Sequence, residues 1–257
     1  MLLQMDWNTQ APLPASRRST RRTQIIGHRG AAGLAPENTL PALEIAAELG
    51  VDGVEIDVQR SADGVLVVLH DEDLRRVAGD PRRVGECTWE QLQALEVGRH
   101  FSPRFAGTRI PALAQVLAFL KDTLLTLQLE LKDPLRYPNI EAETVALLRE
   151  QGWLERTLVI SFYHPSLRTI HALAPELALA ELWFDRIPGL HEAFTRSMDV
   201  LYSLLNLERL QSVQARGQQV AVWTVNDVEA ARHLLHWGVD AIATDYPDRL
   251  LALVEPG

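Results

Sequence analysis

QIIGHRGAAGLAPENTLPALEIAAELGVDGVEIDVQ (24–59) reads as one complete strand–helix–strand unit. A short apolar run at 24–28 ends in His28, a helical pattern occupies 39–49, and a β-rich run follows at 53–59. Gly50 stands where a helix ends in a left-handed cap, and Pro36-Glu37-Asn38-Thr39 ends in residues suited to capping the helix start.

The same alternation continues to the C-terminus. Further strands are expected near 124–130, 158–161, 177–182, 200–203, 219–224 and 241–244. Helical stretches lie at 113–120, 141–151, 165–174, 208–216 and 227–237, with a poorly marked one near 189–196 and a last one at 247–254. Eight strand–helix units in register predict the α/β class and a (β/α)8 TIM barrel; that count favours closure over a doubly wound open sheet. Asp63-Gly64 separates VEIDVQ from VLVVLH and predicts a hairpin whose returning arm ends at His70. Residues 71–109 break the alternation and form a small insertion after the second strand, expected as a cap over the barrel end where active sites assemble. The domain is expected over 24–257, behind a disordered leader at 1–23. Arg17, Arg18, Arg21 and Arg22 in that leader fit a solvated tail better than a lipid-binding one.

At 257 residues, 47% hydrophobic and 23% charged, the composition is that of a soluble globular domain. A net charge of −9 argues against a nucleic-acid surface while leaving room for a small anionic substrate in a basic cleft. No apolar run reaches membrane-spanning length, so no membrane insertion is expected. Cys87 is the single cysteine and residues 1–10 lack an apolar signal core, which together predict a cytoplasmic location.

Glu55 and Asp57 are two apart on a strand and share a face. Facing inward, they call for a partner such as a hard divalent cation. The reversed register is disfavoured because Val54, Ile56 and Val58 suit packing under helices. Glu130 and Lys132 repeat the spacing, and Lys132 is one of only two lysines, with Lys121. Lys132 fits a phosphoryl-oxygen ligand or an ordinary ion pair with Glu130, with even weight. His28 and His70 end neighbouring arms beside Arg29, an arrangement suited to proton transfer next to a bound phosphate. Gly27 and Gly30 would let the backbone approach a ligand, and Trp223 fits an apolar wall or a plain core residue. The remaining histidines, His164 and His191 among them, lack such company and are taken as structural.

These residues resemble the glycerophosphodiester phosphodiesterase family from about residue 24 to 248. The resemblance rests on HRGAAGLAPENTL (28–40), GVEIDVQRSADGVLVVLHDEDL (53–74), LELK (129–132), VWTVND (222–227) and GVDAIATDYPDRL (238–250). It implies a TIM barrel with an insertion after the second strand, and His28 and His70 as the acid/base pair. Arg29 and Lys132 would contact phosphate, Glu55, Asp57 and Glu130 would hold one divalent cation (Mg²⁺ or Ca²⁺, with Mn²⁺ allowed), Glu37 and Asn38 would support the site, and Trp223 would line it. The implied reaction releases sn-glycerol 3-phosphate and an alcohol from a glycerophosphodiester, with first attack by the glycerol 2-hydroxyl. Two stretches depart from the pattern: Ser161-Phe162-Tyr163-His164-Pro165 after the fourth strand, and Val200-Leu201-Tyr202-Ser203 at the sixth. They leave the alcohol open. The competing expectations are a related barrel acting on lysophospholipids or sphingolipids, and a catalytically silent glycerol-phosphate sensor. No oligomeric state is read from the sequence.

Overall fold

The computed structural model describes residues 22–186, 194–195 and 197–254. The expected leader up to residue 21 and most of the helical stretch near 189–196, His191 included, lie outside the described residues. The first unit is β1 (Gln24–Gly27), α1 (Leu40–Leu49) and β2 (Gly53–Arg60), followed by the short antiparallel β3 (Leu66–Val68). The insertion carries α2 (Arg75–Ala78) and α3 (Trp89–Gln93). Next come α4 (Leu113–Leu120), β4 (Thr126–Leu131), α5 (Ile140–Glu150), β5 (Thr157–Ser161), α6 (His164–Leu173) and β6 (Ala178–Trp183). The chain ends with β7 (Ser197–Leu201), α7 (Leu207–Gln214), β8 (Gln219–Trp223), α8 (Val228–Trp237), β9 (Ala241–Thr244) and α9 (Pro247–Leu251).

Strands β1, β2 and β4 to β9 pair in parallel around a ring, and β1 closes it by pairing with both β2 and β9. The chain is therefore a closed (β/α)8 barrel. No helix among the described residues is long and apolar enough to cross a membrane.

Strand alternation sorts side chains into two layers. Val54, Ile56 and Val58 point outward and pack with Leu43 and Ala46 of α1 and Leu113, Val116 and Leu117 of α4. On the opposite side, Val220 and Val222 of β8 join Leu210 of α7 and Leu234 of α8. Inside the barrel, Ile26, Ala221, Ala241 and Ala243 form one small cluster, and Ile160, Ala180 and Leu182 another.

Most local expectations hold. Gly50 and Gly238 end α1 and α8 at φ 78° and 80°, where a side chain would be strained. Residues 61–65 turn the hairpin, held by Ser61 Oγ donating to Asp63 Oδ1 at 2.6 Å and accepting from Val65 N at 2.9 Å. The insertion is a folded unit with its own apolar cluster of Leu74, Val77, Val84, Cys87, Leu92 and Val97.

Three details differ. Thr39 occupies the α1 N-cap, but its hydroxyl donates to Pro36 O at 2.5 Å instead of capping. Pro41, in the first turn, has removed one of the amides such a cap would serve. The strand expected from 124 begins at Thr126 as β4, and Leu124 stands 99% exposed in the preceding turn despite its apolar character. The strand expected at 200–203 is Ser197–Leu201, and Tyr202–Leu204 is a helical turn. That shift brings Asp199 into register with Leu182 and Ala221, facing the barrel interior.

Asp199 is 3% exposed and one of its carboxylate oxygens has no hydrogen-bond partner. Burial alone pushes its pKa up to about 7. In the unfolded chain the group ionises near pH 4, so it destabilises the fold progressively as pH rises from about 4 to 7. Asp199→Asn should therefore melt close to wild type near pH 4 and several degrees higher near pH 8; equal melting curves at both would contradict an unpaired buried acid. In the outer layer, Ile56→Ala should cost about 2–5 kcal/mol in denaturant unfolding, with no change in slope.

Candidate active site

The expected residues converge at the C-terminal end of the barrel strands. The cleft there, of about 480 Å³ including its open mouth, is lined by His28, Arg29, Glu55, His70, Glu130 and Lys132 on one side. Phe162, Leu182, Asp199 and Trp223 line the other.

Glu55, Asp57 and Glu130 each offer a carboxylate oxygen, and these oxygens lie within 4.8 Å of one another. All three residues are buried. Burial, reinforced by Asp57 and Glu130, drives Glu55 well above the usual carboxylate range. Burial and Asp57 push Glu130 up to about 7 against the pull of Lys132. Asp57 goes the other way, to about 2, because Lys132, Arg29 and His70 outweigh its burial. Burial and mutual repulsion oppose three charges on the trio, and a hard divalent cation would offset both. The donor set therefore fits such an ion.

Two basic residues serve this cluster. Lys132 Nζ sits 2.9 Å from Glu130 and 3.6 Å from Asp57. Arg29 donates its backbone N–H to Glu55 at 2.9 Å and its Nη1 to Glu37 at 2.8 Å, and its Nε lies 3.4 Å from Asp57. The ion pair expected between Lys132 and Glu130 forms, and Lys132 also lines the cleft.

The turn after β1 has unusual backbone. Arg29 and Asn38 both have positive φ, 51° and 57°, and Asn38 N donates to Arg29 O at 3.0 Å. Asn38 then grips Asp57 twice, donating Nδ2 to its carboxylate at 2.7 Å and accepting its backbone N–H at 3.1 Å. Gly27 and Gly30 leave the room that this turn needs. A Cβ on Gly30 would meet Ala42 of α1 at 2.7 Å, and one on Gly27 would strike the Gly30 carbonyl.

Each histidine is held at Nδ1 by a carboxylate. His28 Nδ1 is 2.7 Å from Asp245 Oδ1, and Asp245 accepts from Asn226 Nδ2 at 2.6 Å. His70 Nδ1 is 2.7 Å from Asp71 Oδ1, and Asp71 accepts from Arg76 Nε at 2.6 Å. These contacts favour the tautomer with the proton on Nδ1, which leaves Nε2 for chemistry. Burial, with Arg29 and Lys132, holds His70 below the ordinary histidine range against the pull of Asp57. Gln59 fixes the backbone below His70, its Nε2 donating to Leu69 O at 2.8 Å and Asp71 O at 2.7 Å while Tyr137 OH donates to its Oε1 at 2.9 Å.

Trp223 lies at the cleft wall, edge-on to Phe162 with ring centroids 5.5 Å apart. His164 stays out of the cleft lining: its ring lies 4.5 Å from that of Trp183 and its Nε2 is 3.1 Å from Leu182 O. Sequence reasoning missed Asp245, Asn226, Asp71, Gln59 and Arg76. Asp245 follows the last strand as His28 follows the first, a signal available once β1 and β9 are taken as neighbours.

The profile of the Glycerophosphoryl diester phosphodiesterase family matches residues 28–249. A glycerophosphodiester phosphodiesterase of Caldanaerobacter subterraneus subsp. tengcongensis is 35% identical over 241 residues, covering 92% of this chain and 99% of that protein. The structure of an Oleispira antarctica phosphodiesterase in complex with the product sn-glycerol-3-phosphate superposes with a TM-score of 0.82 at 28% identity, covering 90% of this chain and 96% of that one. A glycerophosphodiester phosphodiesterase of Agrobacterium tumefaciens gives 0.77 at 29% identity, with 90% and 99% covered. With most of its length matched by the profile and by these proteins, the chain belongs to the glycerophosphoryl diester phosphodiesterase family.

Proposed function

We propose that this chain hydrolyses glycerophosphodiesters to sn-glycerol 3-phosphate and an alcohol, with a divalent cation held by Glu55, Asp57 and Glu130. The observation that carries the reading is one cleft holding two carboxylate-braced histidines, Arg29 and Lys132 beside a buried three-carboxylate cluster. Family membership and the product-bound Oleispira antarctica relative support it.

A bound cation, Mg²⁺, Ca²⁺ or Mn²⁺, would supply Lewis-acid polarisation of a phosphoryl oxygen and lower the pKa of a substrate hydroxyl. The protein does the rest. Arg29 and Lys132 place positive charge at the non-bridging phosphoryl oxygens, where charge grows in the transition state. One histidine Nε2 takes the proton of the glycerol 2-hydroxyl as its oxygen bonds to phosphorus; the other gives a proton to the departing alcohol oxygen. Water then opens the cyclic phosphate with the proton roles reversed, which restores both histidines and leaves sn-glycerol 3-phosphate. Asp245 and Asp71 hold the rings throughout, and Glu37 and Asn38 support Arg29 and Asp57. The insertion at 71–109 acts as the cap, and a single buried, unpaired Cys87 suits a reducing, cytoplasmic setting.

One observation favours a lipid substrate as a second reading. Phe162, at the cleft wall, stacks edge-on with Phe184, which is 60% exposed, so the mouth carries an apolar lip. Glycerophosphocholine and lysophosphatidylcholine separate the two: release of glycerol phosphate from the first supports the proposal, and turnover of the second alone replaces it. The silent-sensor alternative requires a broken site, and each expected residue is present.

His28→Ala and Glu55→Ala should each lower kcat by about 100-fold or more while unfolding stays cooperative. Chelation should abolish turnover and Mg²⁺, Ca²⁺ or Mn²⁺ restore it; full activity in metal-depleted enzyme would refute the cation's role.

A further inference from the structure

Arg76, in the first helix of the insertion, lies outside the cleft lining and 46% exposed at its side chain. Its Nη1 and Nη2 donate to the two oxygens of Glu37 at 2.6 and 2.8 Å, and its Nε donates to Asp71 Oδ2 at 2.6 Å. Glu37 Oε1 also accepts from Arg29 Nη1 at 2.8 Å, and Asp71 Oδ1 meets His70 Nδ1 at 2.7 Å. One guanidinium thus closes an unbroken series from His70 through Asp71, Arg76 and Glu37 to Arg29.

We propose that Arg76 is a positioning residue, through which the insertion sets the orientation of His70 and Arg29 together. The inference rests on the functional reading of those two residues. Without Arg76, Asp71 keeps only the His70 ring and Glu37 only Arg29, each with one oxygen released to water. A planar fork with donors in fixed directions engages both carboxylates at three oxygens; a lysine ammonium, a single rotatable point charge, cannot reproduce that geometry. Because the side chain is half-exposed, its ion pairs contribute little to global stability. Its effect belongs in the kinetics, where displacing a reacting group by about 1 Å costs on the order of 100-fold.

The test uses full-length, cation-saturated enzyme with glycerophosphocholine and compares Arg76→Ala and Arg76→Lys with wild type. Both variants should lose kcat about tenfold or more, with a smaller change in KM and little change in melting temperature. Millimolar guanidinium should restore part of the Arg76→Ala rate and leave wild type unchanged. Arg76→Ala combined with Asp71→Asn should lose less than the product of the two single effects, because both break the same series. Wild-type kcat in either folded variant overturns the proposal, as does a rate loss that follows melting temperature and ignores guanidinium. If Arg76→Ala does not fold, Arg76→Lys carries the same comparison. His70→Ala and Arg29→Ala are the controls: full activity in those variants refutes the functional reading itself, whereas inactive controls beside fully active Arg76 variants refute the positioning role alone.

Discussion

Three carboxylates buried within 4.8 Å of one another are the constraint to which the rest of the site answers. Away from water their repulsion is weakly screened, and each must be neutralised, hydrogen-bonded or paired. Asp57 is the one kept charged: it has Lys132 and Arg29 as counter-charges and Asn38 as a double hydrogen-bond partner. Glu55 and Glu130 are driven toward the neutral form, a tension that a divalent cation beside them would relieve.

This demand explains the backbone after β1. Arg29 and Asn38 adopt left-handed conformations that cost a non-glycine residue roughly 1–2 kcal/mol each. In return Arg29 reaches Glu55, Asp57 and Glu37, and Asn38 reaches Asp57. Gly27 and Gly30 permit the same turn to lie against α1 without a Cβ in the way. Strain, glycines and the charged cluster are one arrangement.

The side of the cleft away from the carboxylates holds Phe162, Leu182, Asp199 and Trp223. Ser161 is occupied structurally, donating to Leu131 O at 3.0 Å, while Phe162 and Phe184 form an aromatic lip beside Trp223. Asp199 contributes an unpaired acid to that side. The side with the carboxylates and basic residues is polar and densely bonded; the opposite side is apolar with one isolated acid. A substrate of mixed character suits that division.

Much was legible from residue order because the determining interactions are local. Period-two placement of Glu55 and Asp57 against Val54, Ile56 and Val58 set which face of β2 turns inward, and the run of strand–helix units set the closed barrel. Glycines at 50 and 238 marked helix ends through a conformation that other residues resist. The cleft residues His28, Arg29, Glu55, His70, Glu130, Lys132 and Trp223 all followed from strand ends. Only the tertiary structure decided what braces them. Asp245 reaches His28 across 217 positions because ring closure sets β9 beside β1, and Arg76 reaches Glu37 across 39 because the insertion folds back on the rim. The end of β7, and with it the inward aim of Asp199, depended on strand register, which an apolar run such as Val200-Leu201 does not specify by itself. Sequence periodicity fixes which way a side chain points along its own strand; which distant side chain it meets is set by closure and register, and those are properties of the whole barrel.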